Sequence, residues 1–231
     1  MKYPRVSTPI LFGYILAVLA AVPAARAQEQ DHSFVHMALG MGIDVHSAPS
    51  IVDYINALTV QGSTKNLDEF ATATEFFVTP EFSVAGNWSV GLEYAYLLKS
   101  YSVNDGSGLS RWDFSYSMQM PTLLAHYVIP DDAYWLKFGG GVGYYFGSMK
   151  QSYAVSGSED RFSAQGLGMK LDVSGNTKFD DHFYGYIGAD LRWCFAGELK
   201  NDQGLTPTYN GVTAKMNFFS LGLKFGVVFQ L

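Results

Sequence analysis

Apolar and polar residues alternate along most of the chain beyond residue 34, and the alternation recurs in eight separate segments. In the last segment the odd-numbered residues from Phe219 to Leu231 are apolar, whereas Gly222, Lys224 and Gln230 fall on even positions. A side-chain period of two is typical of a β-strand with one apolar face. The pattern therefore predicts an all-β protein. The predicted strands begin near Val35, Phe76, Trp88, Arg111, Leu136, Gly166, Phe183 and Phe219.

The connections between the predicted strands alternate in length. Three are short turns, which lie at residues 85–87, 130–133 and 175–181. The other four are longer and lie at about residues 46–73, 101–110, 149–161 and 197–212. This alternation places every short turn at one end of the molecule and every long loop at the other, as in barrels that cross the bacterial outer membrane. We therefore expect an eight-stranded antiparallel up-and-down transmembrane β-barrel.

The polar face of the predicted strands is expected to line the barrel interior. Glycine and other small residues are frequent on this face, and eight strands leave an interior only wide enough for side chains. Acidic and basic residues on the face nearly balance, so they can pair where isolated charges would be costly. The residues that we expect to form this interior charge network are Glu93, Lys99, Arg111, Asp113, Lys137, Lys170, Asp190, Arg192 and Lys224.

The apolar face is expected to meet lipid, because it carries almost no charge. On the fourth segment we assign Trp112, Phe114, Tyr116, Met118 and Met120 to this face. Aromatic residues are expected at both headgroup boundaries. They are Trp88, Tyr134 and Phe229 near the short turns, and Tyr96, Trp112, Tyr144 and Trp193 near the loops. A soluble exported barrel with its apolar face inside would alternate in the same way and is the alternative.

Residues 1–27 have the features of a cleavable secretory signal. Lys2 and Arg5 precede a short apolar run, and Ala25-Arg26-Ala27 has the form of a cleavage site. We therefore expect a signal peptide at 1–27, cut near Ala27, and a barrel domain at 28–231. The mature chain would carry 12 basic residues, since three of the 15 precede the cut, and 21 acidic residues. A balance of 12 − 21, or −9, argues against nucleic acid as a partner.

The last eight residues, KFGVVFQL, begin at Lys224 and end at Leu231. They resemble the C-terminal β-signal by which the barrel-assembly machinery recognises its clients. Lys224, Gly226, Phe229 and Leu231 stand at the matching positions, although Phe is commoner than Leu at the last one. The resemblance implies that this machinery is a partner during biogenesis.

The glycine-aromatic segment Gly139–Gly147 is similar to a strand of the OmpA/OmpX/opacity-protein-like outer-membrane superfamily. The resemblance covers the whole mature chain as a pattern of strands and loops. It implies an eight-stranded barrel in the outer membrane of a Gram-negative cell, in contact with outer-membrane lipid and lipopolysaccharide. The extracellular ligand of such a barrel stays unknown from the sequence.

A short helix is expected in the first long connection, at about residues 50–59. Ser50 and Asp53 have the spacing of a capping box. The apolar residues on one helical face are Ile51, Tyr54, Ile55 and Leu58. The sequence therefore predicts an amphipathic helix that rests on the barrel rim.

Catalytic, cofactor-binding and metal-binding sites are not predicted. Gly141 and Gly143 fail the dinucleotide fingerprint, because Phe146 stands where the third glycine belongs. His126 falls on the face assigned as apolar, where it has no carboxylate or serine with which to form a hydrolase site. The histidines lack the compact spacing of metal ligands, and a single cysteine cannot form a thiolate site. We therefore expect that the protein is not an enzyme and binds no cofactor.

Two functions remain open at this point. An eight-stranded barrel with a filled, charge-paired interior is a plug and not a pore. This favours a structural or surface-interaction role, similar to adhesion, through four extracellular loops. The alternative is a narrow conduit for small or hydrophobic solutes, as in OmpW-like barrels, because Pro80 and Pro121 each remove a ladder hydrogen bond from the wall.

Overall fold

The computed structural model describes residues 35–59, 70–104, 111–153 and 157–231. The predicted signal peptide at 1–27 lies outside the described residues. In chain order the elements are β1 (Val35–Ser47), α1 (Pro49–Thr59), β2 (Phe70–Ala85), β3 (Trp88–Asn104), β4 (Arg111–Pro130), β5 (Tyr134–Tyr153), β6 (Ser158–Asp180), β7 (Phe183–Glu198), β8 (Thr208–Tyr209), β9 (Val212–Thr213) and β10 (Lys215–Gln230).

Eight of these strands form a closed antiparallel barrel in the order β1-β10-β7-β6-β5-β4-β3-β2. The ring closes where β1 pairs with β10, from His36 opposite Gln230 to Ser47 opposite Phe219. Closure leaves no free sheet edge within the barrel, so backbone groups pair without water. The predicted eight-stranded antiparallel up-and-down barrel is confirmed.

The two ends of the barrel differ in their connections. Residues 86–87, 131–133 and 181–182 form tight turns at one end, here called the short-turn end. At the opposite loop end lie α1 and residues 199–214, and β2 begins and β3 ends there, at Phe70 and Asn104. Two connections predicted to be long, 101–110 and 149–161, are partly strand, because β3 and β5 continue to Asn104 and Tyr153 and β6 begins at Ser158. Long strands therefore form much of the loop end.

The connection between β7 and β10 is a folded segment. Its short hairpin, β8 and β9, turns at Asn210 (φ 48°) and Gly211 (φ 79°). Asparagine and glycine adopt this left-handed conformation most readily. Lys200 exchanges two backbone hydrogen bonds with Ser163 on β6, at 2.8 and 2.9 Å. The segment is thus anchored to the barrel wall.

The helix predicted at about residues 50–59 is confirmed as α1, which begins at Pro49. The carbonyl of Ala48 accepts the hydrogen bonds of its first turn. The predicted capping role of Ser50 is wrong. The Ser50 hydroxyl donates to the Thr213 carbonyl at 3.0 Å and accepts from the Lys215 amide at 3.1 Å, which ties α1 to β9 and β10. Among the described residues, no helix has the length and apolar character needed to span a membrane.

Candidate functional site

A buried group of ion pairs lies on the inward face of the barrel at mid-height. Arg192 Nη2 is 3.0 Å from Glu93, 3.1 Å from Asp190 and 3.3 Å from Glu75. Lys224 Nζ lies 2.5 Å from Glu75 and 2.9 Å from Asp190. All five side chains are buried. Because each cation is shared among several carboxylates, the group links β2, β3, β7 and β10 through the interior.

A second group of charges surrounds Glu81, nearer the short-turn end. Lys137 Nζ is 2.7 Å from Glu81 Oε2, and the Ser89 hydroxyl donates to Glu81 Oε1. His126 Nδ1 is 3.1 Å from Glu81, and His126 Nε2 is 3.1 Å from both oxygens of Asp172. A carboxylate only accepts hydrogen bonds, so both ring nitrogens donate and His126 is an imidazolium.

Lys170 joins the two groups into one charge network, since its Nζ is 2.6 Å from Glu93 and 3.7 Å from Asp172. The acids of the network are Asp44, Glu75, Glu81, Glu93, Asp172 and Asp190. Its bases are Lys137, Lys170, Arg192, Lys224 and His126. Acids therefore outnumber bases by one. Among the described residues, neither carboxylate oxygen of the buried Asp44 has a hydrogen-bond partner.

Three residues predicted for this network lie outside it, which corrects the prediction. Arg111 and Asp113 pair at 2.8 Å on the outer face of β4, where both are exposed. Lys99 is held elsewhere, because its Nζ is 2.5 Å from the Thr72 carbonyl and 4.9 Å from the centre of the Tyr101 ring. The other predicted members are buried together in the network, namely Glu93, Lys137, Lys170, Asp190, Arg192 and Lys224.

Toward the loop end the interior becomes apolar. Buried side chains from the barrel strands fill it and are here called the apolar plug. They are Leu97, Phe114, Tyr116, Met118, Met120, Tyr145, Met149, Met216 and Phe218. The prediction that Phe114 to Met120 meet lipid is therefore wrong. Trp112 was also placed at the lipid boundary, but it packs inward against Tyr153, with ring centroids 4.4 Å apart. The upper half of β4 thus turns its apolar face inward.

The helix α1 closes the loop end of the apolar plug. Ile51, Tyr54 and Ile55 are buried in the same cluster, and Ile55 has no exposed surface. The Tyr54 hydroxyl donates to Gln151 of β5 at 2.9 Å. Burial raises the pKa of Tyr54, so this hydroxyl remains a donor well into the alkaline range. The helix predicted to rest on the rim instead forms part of the interior packing.

Little space remains at the short-turn end of the interior. The Trp135 ring stacks on His36 at 5.3 Å and contacts Tyr184 at 4.1 Å between centroids. A cavity lined by His36, His126 and Asn176, among others, measures about 20 Å³. That volume holds about one water molecule. The interior is therefore filled from the short-turn end to α1 across the described residues.

The outer surface carries an apolar belt made of large exposed side chains. Leu123, Val142 and Leu167 are 59%, 60% and 66% exposed, which is unusual for apolar residues of a water-soluble protein. On β5 the belt runs from Tyr134 to Phe146, or 13 residues. At ~3.3 Å per residue and a tilt of ~45°, this corresponds to a height of ~30 Å. The belt has the height of a bilayer's hydrocarbon core.

Comparison with solved structures gives the same architecture. A major outer membrane protein from Thermus thermophilus matches with a TM-score of 0.55 at 12% identity, over 87% of this chain and 100% of that chain. The protein has the fold of the outer-membrane β-barrels. Ail, the attachment invasion locus protein of Yersinia pestis, matches this barrel with a TM-score of 0.50 at 14% identity, also over 87% and 100% of the two chains.

Sequence comparisons add no further relationship for the barrel. No family model matches the sequence, and no curated protein matches it. The identities to the solved structures are low, so the likeness concerns the fold alone. At that level, the outer-membrane β-barrel fold that the sequence resemblance implied is confirmed.

The placement of His126 corrects the prediction made for it. It faces the barrel interior between Glu81 and Asp172, and not an apolar surface without carboxylates. Ser89 lies close by, but its hydroxyl donates to Glu81. Both nitrogens of His126 are engaged by carboxylates, so Ser89 has no general base in this group. The arrangement is that of a structural charge cluster.

Three carboxylates of the barrel are spaced as metal ligands would be. Oxygen atoms of Glu75, Glu93 and Asp190 lie within 4.8 Å of one another. However, Lys224 Nζ and Arg192 Nη2 lie among these oxygens, at the distances given above. The two side chains supply the positive charge that a metal ion would bring to this position.

The residues predicted as an assembly β-signal lie on or next to the strand that closes the barrel. Lys224 points into the charge network, whereas Phe229 faces outward with its ring 5.2 Å from that of Phe183. A Cβ at Gly226 would lie 3.0 Å from the Cα of Gly40 on β1, so the two strands approach closely there. The Leu231 amide donates to the Val35 carbonyl at 2.9 Å.

Proposed function

We propose that the protein is an integral outer-membrane barrel that is closed to solutes and serves a structural or surface-interaction role at the loop end. The observation that carries the proposal is the filled interior, in which the charge network is followed by the apolar plug and α1. An eight-stranded barrel is just wide enough for such filling. Transport through the interior would require both layers to move.

The apolar belt supports the location in a membrane. Taking the short-turn end as periplasmic follows the usual asymmetry of outer-membrane barrels. In this orientation the loop end faces the medium. The barrel-assembly machinery and outer-membrane lipid are the partners that this proposal implies.

The length of the strands supports a role at the cell surface. β6 has 23 residues, and β4 and β5 have 20 each, whereas ~9–11 residues suffice to cross a bilayer. The upper parts of these strands are polar on the outside, as Arg111, Asp113 and Lys150 illustrate. They form a rigid platform above the lipid. Rigid elements position interaction surfaces better than loops do.

One feature favours the conduit alternative, namely interruptions in the strand pairing of the wall, but the interior beside them is filled. The ladder between β2 and β3 is interrupted at Thr79 and Pro80, and that between β4 and β5 at Met120 and Pro121. The interior groups beside these gaps are Glu93 and Tyr145, which are both held by Arg192. The gaps therefore face filled space. They indicate a locally weakened wall but not a path for solutes through the barrel.

Conductance in planar bilayers tests the closed barrel. We expect no current steps from the purified protein, and none from a variant that lacks Pro49–Thr59, because the charge network still fills the barrel at mid-height. Stable current steps from the intact protein would contradict the proposal and favour the conduit. A matched preparation of a known porin provides the positive control.

Membrane location is tested separately by fractionation. In a Gram-negative host, the protein should appear in the outer-membrane fraction and migrate faster on a detergent gel before boiling than after it. Recovery as a soluble periplasmic protein would contradict the membrane assignment.

A further inference from the structure

The outer face of strands β3 to β6 is organised in horizontal rows that begin at the top of the apolar belt and continue above it. The residues of each row are direct cross-strand partners. From the belt upward, the four rows are Tyr96-Gln119-Phe146-Gln165, then Leu98-Ser117-Ser148-Ser163, then Ser100-Ser115-Lys150-Arg161, and then Ser102-Asp113-Ser152-Glu159. Aromatic and amide groups thus give way to hydroxyls, then to bases, and finally to acids.

The hydroxyl and base rows leave a depression in the outer wall, here called the serine notch. Small serine side chains occupy adjacent positions on three strands, whereas larger side chains stand around them. The depression has a volume of about 180 Å³. The lining residues that matter here are Ser100, Ser115, Ser117, Ser148, Tyr96 and Lys150. Its walls therefore offer four serine hydroxyl groups and the ammonium group of Lys150, whereas the ammonium group of Lys99, which also lines it, donates to the Thr72 carbonyl.

Of the bases around the serine notch, Arg111 and Arg161 are closely paired, whereas Lys150 interacts with Glu159 only at longer range. Asp113 is paired with Arg111 at 2.8 Å, and Glu159 with Arg161 at 2.6 Å. Hydrogen bonds from Ser102 and Arg111 hold the pKa of Asp113 below its usual range, and the hydrogen bond from Arg161 does the same for Glu159, so both acids stay ionised. Lys150 makes no ion pair with the residues that the structure describes. It stands directly opposite Arg161, and like charges in that position repel unless an anion lies between them.

The position of the serine notch indicates what kind of ligand fits it. Directly below it, Tyr96 and Phe146 begin the apolar belt, so a molecule in the notch would be continuous with acyl chains on the belt. Hydroxyl groups donate and accept, as sugar hydroxyls require. An ammonium group is a common binder of phosphate. The rows therefore match a phosphate-bearing sugar that is anchored in the outer leaflet.

We propose that the serine notch binds the phosphorylated saccharide headgroup of an outer-leaflet glycolipid, with the phosphate at Lys150 and the sugar over Ser117 and Ser148. The proposal rests on the membrane location given under the proposed function. It adds a specific lipid site on one side of the barrel, where β3 to β6 meet the headgroup layer. The remaining belt then contacts lipid without this selectivity.

The test uses native mass spectrometry of the full-length mature barrel in detergent, titrated with a bisphosphorylated diglucosamine lipid. Lys150→Gln removes the ammonium group, and Ser148→Leu fills the notch. Lys178→Gln, which removes an exposed lysine at the short-turn end, is the matched control. Losing one charge-assisted contact should weaken binding about tenfold in Lys150→Gln, with a similar loss in Ser148→Leu. Lys178→Gln should bind like the wild type.

Three further probes fix the chemistry of the ligand. The dephosphorylated glycolipid and phosphatidylglycerol should both bind more weakly than the bisphosphorylated lipid. Equal binding of phosphatidylglycerol would overturn the saccharide assignment. Equal binding of the same sugar phosphate without acyl chains would overturn the lipid source. Unchanged affinity in both notch variants would overturn the site itself.

The folding and conductance of each variant are measured in the same preparations. A faster-migrating unboiled band shows that a variant has folded, so loss of binding cannot be ascribed to misfolding. Current steps from the wild type would contradict the proposed closed barrel and leave the lipid site standing. A wild-type barrel that is folded and does not conduct, but binds all the tested lipids equally, would contradict only the lipid site.

Discussion

Lys224 on β10 binds Glu75 on β2 at 2.5 Å, although β1 lies between these two strands. The residue of β1 that both side chains cross is Gly42, which is the direct partner of each. A Cβ at Gly42 would lie 3.2 Å from Lys224 Cγ and 3.8 Å from Glu75 Cβ. The glycine therefore gives the space in which the ion pair forms.

Removal of Lys224 should strongly destabilise the barrel. Lys224→Met leaves Glu75 and Asp190 without one of their cations, and breaking a buried ion pair in this way costs about 3–5 kcal/mol. Urea unfolding in detergent micelles measures the change. Lys150→Met, which removes an exposed lysine, should stay within about 0.5 kcal/mol of the wild type. The double variant Lys224→Met/Glu75→Leu should recover part of the loss, and no recovery would contradict the pairing.

Substitution of Gly42 should reproduce part of that effect without removing any charge. In Gly42→Val the new side chain would meet Lys224 Cγ and the Leu223 carbonyl, so Lys224 must shift relative to Glu75. We expect a loss of about 1–3 kcal/mol, typical of overpacking. Gly175→Ala is the control, since a Cβ there lies 3.4 Å or more from its neighbours. Equal stability of the two variants would show that the space at Gly42 is not required.

The strands and their closure were predictable because a period of two reports which residues share a face. The environment that each face meets was predictable only for the parts of the strands that cross the bilayer. In the lower half of β4 the outward residues Leu123 and Ile129 are apolar, and the inward Thr122 and His126 are polar. In the upper half the order reverses, because water lies outside and the apolar plug inside. Apolar and polar residues alternate in the same way in both halves, so the alternation cannot tell which face is inside.

The reversal explains why part of the interior was missed. Phe114 to Met120 look like a lipid-facing run, and their apparent continuity with His126 placed that histidine on the wrong face. The polar residues Thr122 and His126 at even positions were the available signal for a change of environment. The Asn210-Gly211 pair likewise indicated a hairpin in the last connection. The partners of Ser50 and Tyr54 could not be predicted, since they depend on long-range packing.

His126 should contribute strongly to stability through its two carboxylate partners. His126→Leu would leave Glu81 and Asp172 facing an apolar group, and we expect a loss of about 3–5 kcal/mol, as for other broken buried pairs. Ser89→Ala should cost about 1 kcal/mol, because Glu81 keeps Lys137 and His126. The temperature at which the fast-migrating band converts to the slow one reports the change. His182→Leu in an exposed turn is the control, and equal effects at the two histidines would refute this role.

The packing of α1 should depend on Ile55. Ile55→Asp places a charge where the side chain has no exposed surface, so the helix should leave the apolar plug. Limited proteolysis should then cut within α1 roughly tenfold faster, while the barrel remains heat-modifiable. Asp53→Asn, an exposed change on the same helix, should leave the cleavage rate unaltered. Protection that persists in Ile55→Asp would mean that α1 is held by contacts other than its apolar face.

The C-terminal residues should affect assembly separately from stability. Gly226→Glu places a side chain against the Leu39 carbonyl and Gly40 on β1, so it obstructs closure as well as any recognition by the assembly machinery. Deletion of Phe229–Leu231 leaves that contact open and removes the aromatic end of the β-signal. If recognition matters, both variants should be exported normally but reach the outer membrane at a small fraction of the wild-type level, as measured by immunoblots of membrane fractions. Leu231→Phe, which restores the commoner residue, should assemble as well as the wild type or better. Normal assembly of the deletion with failure of Gly226→Glu would assign the effect to barrel closure alone, and the β-signal interpretation would then be wrong.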